Sequence, residues 1–203
     1  MTRISAIVGL GNPGSQYALS RHNAGFQFLD RVAGRAGAKL KFESRFQANV
    51  GRAVIAGQTV WLVAPQDYMN NSGNSVVTFA SYYKLAPPEF LVAHDELDLP
   101  PGAVRLKRDG GHGGHNGLRD IVQRWQSRDF VRLRIGIGHP GSSHLVTSYV
   151  LKRAPVEEES LIAEAIDRAM TELDDMVCGH YDKVMNALHA WDQVETPTTK
   201  PQS

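Results

Sequence analysis

Short apolar segments alternate with helical segments along most of the chain. Helical periodicity of apolar positions predicts helices at about residues 23–35, 75–83 and 118–126, a long amphipathic helix from 155, and a short one at 181–188. Apolar or alternating runs predict strands at residues 4–9, 48–55, 58–64, 90–93, 103–107 and 131–136. This order predicts a single α/β domain with a twisted, mixed and largely parallel sheet flanked by helices.

Polar residues are concentrated where four of these strands end. The four polar segments lie around Asn12 and His22, around Asn70, around Asp95, and around His115 with Asn116. In open α/β sheets, the loops at the carboxyl edge of the strands form the functional site. We therefore expect the four segments to meet in one cleft at that edge.

The first polar segment also contains Gly9, Gly11 and Gly14 after a strand, which fits the dinucleotide-binding fingerprint. That motif requires a helix to open within the glycines, so that the helix N-terminus meets the pyrophosphate. Pro13 lies between the last two glycines, and residues 15–24 show no apolar period. A dinucleotide oxidoreductase would therefore explain three glycines and nothing else.

The polar segments supply a histidine, a carboxylate and several carboxamides, but no obvious covalent nucleophile. No serine stands in a G-x-S-x-G elbow, and the single cysteine, Cys178, lies in the acidic C-terminal part. This set of side chains indicates a general base acting on water, with His22 as the base and Asp95 as its partner. A carboxylate that accepts from one imidazole nitrogen leaves the other free to take a proton. The alternative is structural, with a loop histidine and a turn or cap aspartate.

Metal chemistry is a further alternative, because His94, Glu96, Asp98 and His112 are also good ligand types. Strand alternation would direct His94 and Asp95 to opposite faces, and no metal-binding motif such as H-E-x-x-H is present. We therefore expect no metal and no cofactor.

Composition narrows the class of protein. The chain has 203 residues with 42% hydrophobic content, enough for one core, and its single cysteine excludes an internal disulfide. A low cysteine content agrees with a reducing cytoplasm. No stretch approaches 18 apolar residues and no signal peptide is evident, so we expect a cytoplasmic protein without a membrane partner. We expect one domain over residues 1–190 and a disordered tail over 191–203.

Charge is distributed unevenly along the chain. Residues 101–153 carry 10 Lys and Arg against 3 Asp and Glu, giving +7, whereas residues 154–203 carry 3 against 11, giving −8. A basic middle segment suggests a polyanionic partner, although an ordinary solvated surface with uneven charge is the alternative.

Five motifs, taken in order, resemble the bacterial-type peptidyl-tRNA hydrolases, over about residues 4–190. The first is GLGNPG at 9–14 with Tyr17 and RHNAG at 21–25. The others are YMNNSG at 68–73, HDELDLPPG at 94–102, GGHGGHNGL at 110–118 and RLRIGIGHPG at 132–141. Ser20 stands where the family usually has threonine, which keeps the hydroxyl.

The resemblance implies a monomeric hydrolase that cleaves the ester between a peptide and the 3′ end of tRNA, with peptidyl-tRNA as its partner. It implies that His22 is the base and that Asp95 keeps it basic, while Asn12 distinguishes blocked from free aminoacyl-tRNA. It also implies that the tRNA end of the substrate is contacted by Tyr17, Tyr68, Asn70 and Asn116. Met69 and His115 would line the same cleft. Lys107 and Arg134 would bind tRNA phosphate.

An RNA-binding module without catalysis is the alternative from another functional class. It explains the basic segment, but it gives His22 and Asp95 nothing to do. Hydrolysis needs only an oriented water, a base and hydrogen-bond donors, all of which the four polar segments can supply.

Overall fold

The computed structural model describes residues 2–194, with side chains described through residue 190. Seven strands form one mixed sheet in the order β2-β3-β4-β1-β5-β7-β6. The strands β4, β1, β5 and β7 run parallel, and the remaining pairings are antiparallel. The predicted α/β fold is therefore confirmed. The strands are β1 (Ala6–Gly9), β2 (Lys41–Glu43), β3 (Ala48–Ile55), β4 (Gln58–Pro65), β5 (Phe90–Glu96), β6 (Val104–Arg108) and β7 (Val131–Gly136).

Helices cover both faces of the sheet. They are α1 (Ala24–Ala36), α2 (Ser72–Tyr83), α3 (Asn116–Trp125), α4 (Val146–Val150), α5 (Val156–Thr171), α6 (Leu173–Cys178) and α7 (Tyr181–Val194). The long helix predicted from residue 155 is two helices, because the chain breaks at Glu172. Helix α7 continues past residue 190, and the rest of the predicted disordered tail, residues 195–203, lies outside the described residues. None of the described helices is long and apolar enough to span a membrane.

Two apolar clusters fill the spaces between the sheet and its helices. One joins α1, α5, α6 and α7 to one face of the sheet through residues such as Phe28, Leu133 and Ile166. The other joins α2 and α3 to the opposite face through residues such as Phe79 and Ile121. The fold therefore has three layers, and the ends of the central parallel strands remain available for a site.

Glycines let α1 approach the sheet closely. A Cβ atom on Gly25 would lie 2.3 Å from the carbonyl oxygen of Ala93, and one on Gly9 would lie 2.4 Å from the carbonyl oxygen of Gly25. A Cβ atom on Gly11 would lie 2.5 Å from the ring of Phe26. These glycines therefore seat the start of α1 against β1 and β5, next to the turn that carries His22.

The loop after β6 reaches the site by an unexpected path. Because β6 is antiparallel to β7, its last residue, Arg108, pairs with Val131 at the start of β7. The carboxyl ends of β5 and β7, at Glu96 and Gly136, lie at the other edge of the sheet. The expectation that this loop leaves the sheet at the carboxyl edge is wrong, since it begins at the amino edge and crosses back over the sheet.

Candidate active site

The two central residues of the site are held by different kinds of element. His22 lies in a buried 3₁₀ turn, Arg21–Asn23, which leads directly into α1. Asp95 is not in a loop as the sequence suggested, but is the penultimate residue of the fully buried strand β5. The strand therefore fixes the carboxylate, and the turn before α1 brings the imidazole to it.

The carboxylate of Asp95 accepts hydrogen bonds from two imidazoles. Nδ1 of His22 lies 2.9 Å from both Oδ1 and Oδ2 of Asp95. Nε2 of His115 lies 2.9 Å from Oδ1, and the His22 and His115 ring centroids are 5.0 Å apart. Asp95 thus joins the first polar segment to the glycine-rich loop that follows β6, residues 109–115.

The hydrogen bonds fix the tautomers of both histidines. Nδ1 of His115 accepts from the backbone N–H of Leu118 at the start of α3, so Nε2 carries the proton that is donated to Asp95. Nδ1 of neutral His22 must likewise carry the proton toward the carboxylate. Nε2 of His22 makes no hydrogen bond to any described residue, and its lone pair is available to act as a base.

Burial and charge act against each other on the pKa values of this pair. Burial lowers the pKa of His22, but the charge of Asp95 and the hydrogen bond to it outweigh burial and raise the pKa above its ordinary value of 6.5. Burial raises the pKa of Asp95, but His22 and then His115 outweigh burial and hold it well below its usual range. Asp95 is therefore a carboxylate over the whole neutral range.

His94 is a buried neighbour of this group that the sequence did not single out as part of the base. Its Nδ1 lies 2.7 Å from the backbone carbonyl oxygen of Asp95, and its ring packs edge-on against His115 with centroids 5.1 Å apart. Burial, assisted by His115, lowers the pKa of His94 to about 3. His94 is thus a neutral packing partner of His115.

Asn12 is held in one orientation from two sides. Its Oδ1 atom accepts from the backbone N–H of Met69 at 2.7 Å, while its backbone N–H and carbonyl bond to the side chain of Asn23 at 2.8 and 3.0 Å. Because Oδ1 faces a backbone donor, the group that Asn12 presents to the cleft is the Nδ2 amide donor.

These residues line a cleft of about 320 Å³. Nine of the eleven residues singled out from the sequence lie on its wall: Asn12, Tyr17, His22, Tyr68, Met69, Asn70, Asp95, His115 and Asn116. Among these wall residues Tyr68, Asn70 and Asn116 are exposed, whereas Met69 is almost fully buried.

The other two residues, Lys107 and Arg134, lie outside the cleft wall on neighbouring strands. Lys107 is exposed on β6, and Arg134 on β7 donates from Nε to Glu96 at 2.8 Å. Glu96 itself lines the cleft, so Arg134 adjoins the cleft through this ion pair.

Sequence patterns missed one wall of the cleft. Helix α4 and the residue after it contribute Val146, Thr147, Val150 and Leu151. Arg21 holds this wall, because its guanidinium stacks 3.9 Å from the ring centroid of Tyr149 and donates to Glu158 at 2.9 Å. A five-residue helix is too short for its apolar periodicity to predict it. The sequence signal that could have indicated this wall is Arg21, the arginine that precedes His22.

His22, Asp95 and His115 each offer one potential metal-ligand atom, and these three atoms lie within 4.8 Å of one another, a spacing that could hold a metal ion. In this arrangement His22 and His115 are each hydrogen-bonded to the carboxylate of Asp95. A metal ion would have to replace the hydrogen bonds that fix both tautomers.

Fold and site together define an α/β protein with a histidine–carboxylate pair in a cleft at the carboxyl end of a parallel strand. The peptidyl-tRNA hydrolase family model matches residues 6–197. The chain belongs to this family.

Individual relatives agree with the family match. Peptidyl-tRNA hydrolase of Acinetobacter baumannii (strain AYE) is 52% identical over 191 residues, covering 94% of this chain and 98% of the relative. That of Acidithiobacillus ferrooxidans (strain ATCC 53993 / BNL-5-31) is 51% identical over 184 residues, with 91% and 97% covered. A crystal structure of the A. baumannii enzyme matches with a TM-score of 0.91 over 94% of this chain and 96% of that chain.

Proposed function

We propose that this protein hydrolyses the ester bond that joins a peptide to the 3′ end of tRNA, and so recycles peptidyl-tRNA dropped from ribosomes. The observation that carries the proposal is the hydrogen bond from His22 to Asp95, which leaves Nε2 of His22 facing a cleft lined with amides. Membership of the peptidyl-tRNA hydrolase family supports the choice of substrate.

In the proposed reaction, Nε2 of His22 takes a proton from a water molecule as the water attacks the ester carbonyl carbon. The bond between that carbon and the 3′ oxygen then breaks. The imidazolium returns its proton to the 3′ oxygen, which yields a free peptide and an unesterified tRNA. Asp95 stabilises the imidazolium between these two proton transfers, and His115 keeps Asp95 in place.

Asn12 supports a preference for N-blocked substrates. Its Nδ2 atom can donate to the carbonyl oxygen of the group that acylates the substrate's α-nitrogen. A free aminoacyl-tRNA has no such carbonyl and presents an ammonium group instead, which repels the donor. We propose that this single hydrogen bond lets the enzyme spare aminoacyl-tRNA.

The tRNA end is proposed to lie along the exposed part of the cleft wall. Tyr17 and Tyr68 offer rings on which a base can stack, and Asn70 and Asn116 offer amides for hydrogen bonds. Lys107 and Arg134 would then contact a phosphate further along the tRNA. We further propose that the enzyme works as a monomer in the cytoplasm. Size-exclusion chromatography with light scattering tests the oligomeric state.

The test is ester cleavage measured on N-acetyl-aminoacyl-tRNA and on free aminoacyl-tRNA. We expect cleavage of the first and sparing of the second. Equal cleavage of both would contradict the role of Asn12. Tight tRNA binding without cleavage of either would instead favour an RNA-binding module, for which the basic segment is the supporting observation.

A further inference from the structure

Arg132 belongs to the basic segment, residues 101–153, but its charged side chain is buried and does not lie on the surface. Only 2% of Arg132 is exposed, and its guanidinium lies 4.6 Å from the ring centroid of Phe130. The two Nη groups donate to the backbone carbonyl oxygens of Gly111 and Gly110, the latter at 2.6 Å. A guanidinium whose fork is occupied in this way is a poor ligand for phosphate.

The carbonyls that Arg132 holds belong to the loop that crosses back over the sheet. The loop, residues 109–115, follows Arg108, which pairs with Val131 at the start of β7. It ends where His115 meets Asp95, and Asp95 pairs with Ile135, four positions further along β7 than Val131. Gly110, Gly113 and Gly114 have φ values of +121°, +56° and +82°. The backbone therefore takes a path that other residues rarely adopt.

Few other hydrogen bonds hold residues 109–114 in place. Within the described residues, the other hydrogen bonds made by residues 109–114 are local to the loop: Gly110 N–H to Asp109, Gly114 N–H to His112, and His115 N–H to the carbonyl of His112. His115 ties the end of the loop to β5 through Asp95, and within residues 109–114 the hydrogen bonds to the sheet described here are the two from Arg132. A glycine-rich segment without these two hydrogen bonds would sample many conformations.

We propose that Arg132 is a positioning residue that fixes the glycine-rich loop, so that Gly113, Gly114, His115 and Asn116 form one wall of the cleft. The proposal rests on the proposed function, because its consequence is measured on substrate. It separates Arg132 from its cross-strand neighbour Lys107, which the proposed function assigns to phosphate. Lysine cannot replace Arg132 fully, because an ammonium group cannot present a planar fork to two successive carbonyls.

The test uses Arg132→Met and Arg132→Lys in the full chain. Arg52→Met is the matched control, because Arg52 also stands on a strand and stacks 4.2 Å from an aromatic centroid, that of Trp61, outside the cleft wall. Steady-state kinetics are measured on N-acetyl-aminoacyl-tRNA and on a short N-acetyl-aminoacyl CCA fragment. Amide hydrogen exchange of residues 109–116 and the salt dependence of tRNA binding are measured alongside.

We expect Arg132→Met to raise KM several-fold on both substrates, with faster exchange confined to residues 109–116. The slope of log affinity against log salt should stay unchanged, whereas loss of a phosphate contact would flatten it by about 0.7–0.9. Arg132→Lys should fall between Arg132→Met and the parent, and the control should match the parent.

Three outcomes would overturn the proposal: a KM effect on full-length tRNA alone, a flattened salt slope, or unchanged exchange of the loop. If Arg132→Met does not fold, Arg132→Lys decides by the same measurements. If the parent cleaves neither substrate, the proposed function fails. In that case, amide hydrogen exchange of residues 109–116 and the salt dependence of tRNA binding still test whether Arg132 positions the loop.

Discussion

Nδ1 of His22 lies 2.9 Å from each carboxylate oxygen of Asp95. The two residues are 73 positions apart in the chain and meet because the turn before α1 packs against the end of β5. An imidazole held between a buried carboxylate and an open cleft uses one nitrogen for orientation and leaves the other free for the proposed chemistry. In His22 these nitrogens are Nδ1, which is bound to Asp95, and Nε2.

Replacing His22 with alanine should lower kcat by about 10²–10⁴, the usual contribution of a general base. Asp95 keeps its second donor, His115, in this variant, so the melting temperature should change by only a few degrees. Single-turnover cleavage of N-acetyl-aminoacyl-tRNA and a thermal melt measure the two effects. A rate within tenfold of the parent would remove His22 from the chemistry.

Asp95→Asn should slow turnover and shift the pH profile to lower pH. Asp95 raises the pKa of His22 above 6.5, and His22 is proposed to act as a base in its neutral form, so kcat/KM of the parent should rise as pH passes through that raised pKa. Without the carboxylate charge, burial acts alone and lowers the pKa. The rising limb should therefore move down while the plateau falls. An unchanged midpoint and plateau would show that the residues are not coupled.

Much of the fold was predictable because its signals are local. The runs that form β3, β5 and β7 are apolar or alternating, and the polar residues after them follow from strand ends. The course of β6 was not predictable in this way. Its antiparallel pairing is a tertiary property, so the assumption that each loop leaves at the carboxyl edge failed for the glycine-rich loop.

The candidate site shows a similar division. Residue types and motif resemblance pointed to His22, Asp95 and Asn12, all of which line the cleft. Hydrogen-bond directions could not be predicted, yet they decide which atom of Asn12 is left for the cleft and which tautomer His115 adopts. The burial of Arg132 was equally hidden, because a count of charges cannot tell a solvated arginine from one buried beneath a loop.

Asn12→Asp should weaken the discrimination between blocked and free substrates. One carboxylate oxygen can still accept from the Met69 N–H, but the other replaces the Nδ2 donor with an acceptor. The variant should lose activity on N-acetyl-aminoacyl-tRNA, and its ratio of blocked to free cleavage should fall at least tenfold. Asn23→Asp is a useful comparison, because Asn23 supports the backbone of Asn12. An unchanged ratio in Asn12→Asp would mean that other groups recognise the blocked nitrogen.

Activity should survive treatment with EDTA followed by gel filtration. In the cluster of His22, Asp95 and His115 that could hold a metal, both histidines are already hydrogen-bonded to the carboxylate of Asp95. Assays on a short acylated CCA fragment avoid the effect of magnesium on tRNA folding. A loss of activity on that fragment that zinc restores would show that the cluster works as a metal site.

Lys107 and Arg134 should act on binding and not on chemistry. Lys107 is exposed on β6, while the hydrogen bond of Arg134 to Glu96 uses Nε and leaves both Nη groups without a partner in the part of the chain described here. Both side chains can therefore reach a phosphate beside the cleft. A variant that makes one phosphate contact fewer releases fewer counterions when it binds tRNA. The slope of log affinity against log salt should therefore flatten by about 0.7–0.9 for Lys107→Ala and for Arg134→Ala.

The choice of substrate separates a phosphate contact from support of the cleft. With full-length peptidyl-tRNA at low salt, Lys107→Ala and Arg134→Ala should raise KM several-fold and leave kcat nearly unchanged. With a CCA fragment that lacks the contacted phosphate, neither change should matter, because the cleft wall contains neither residue. Lys41→Ala is the matched control, since Lys41 is an exposed lysine on β2 at the opposite edge of the sheet. Equal losses on both substrates would mean that Lys107 and Arg134 support the cleft itself, and the phosphate assignment would then be wrong.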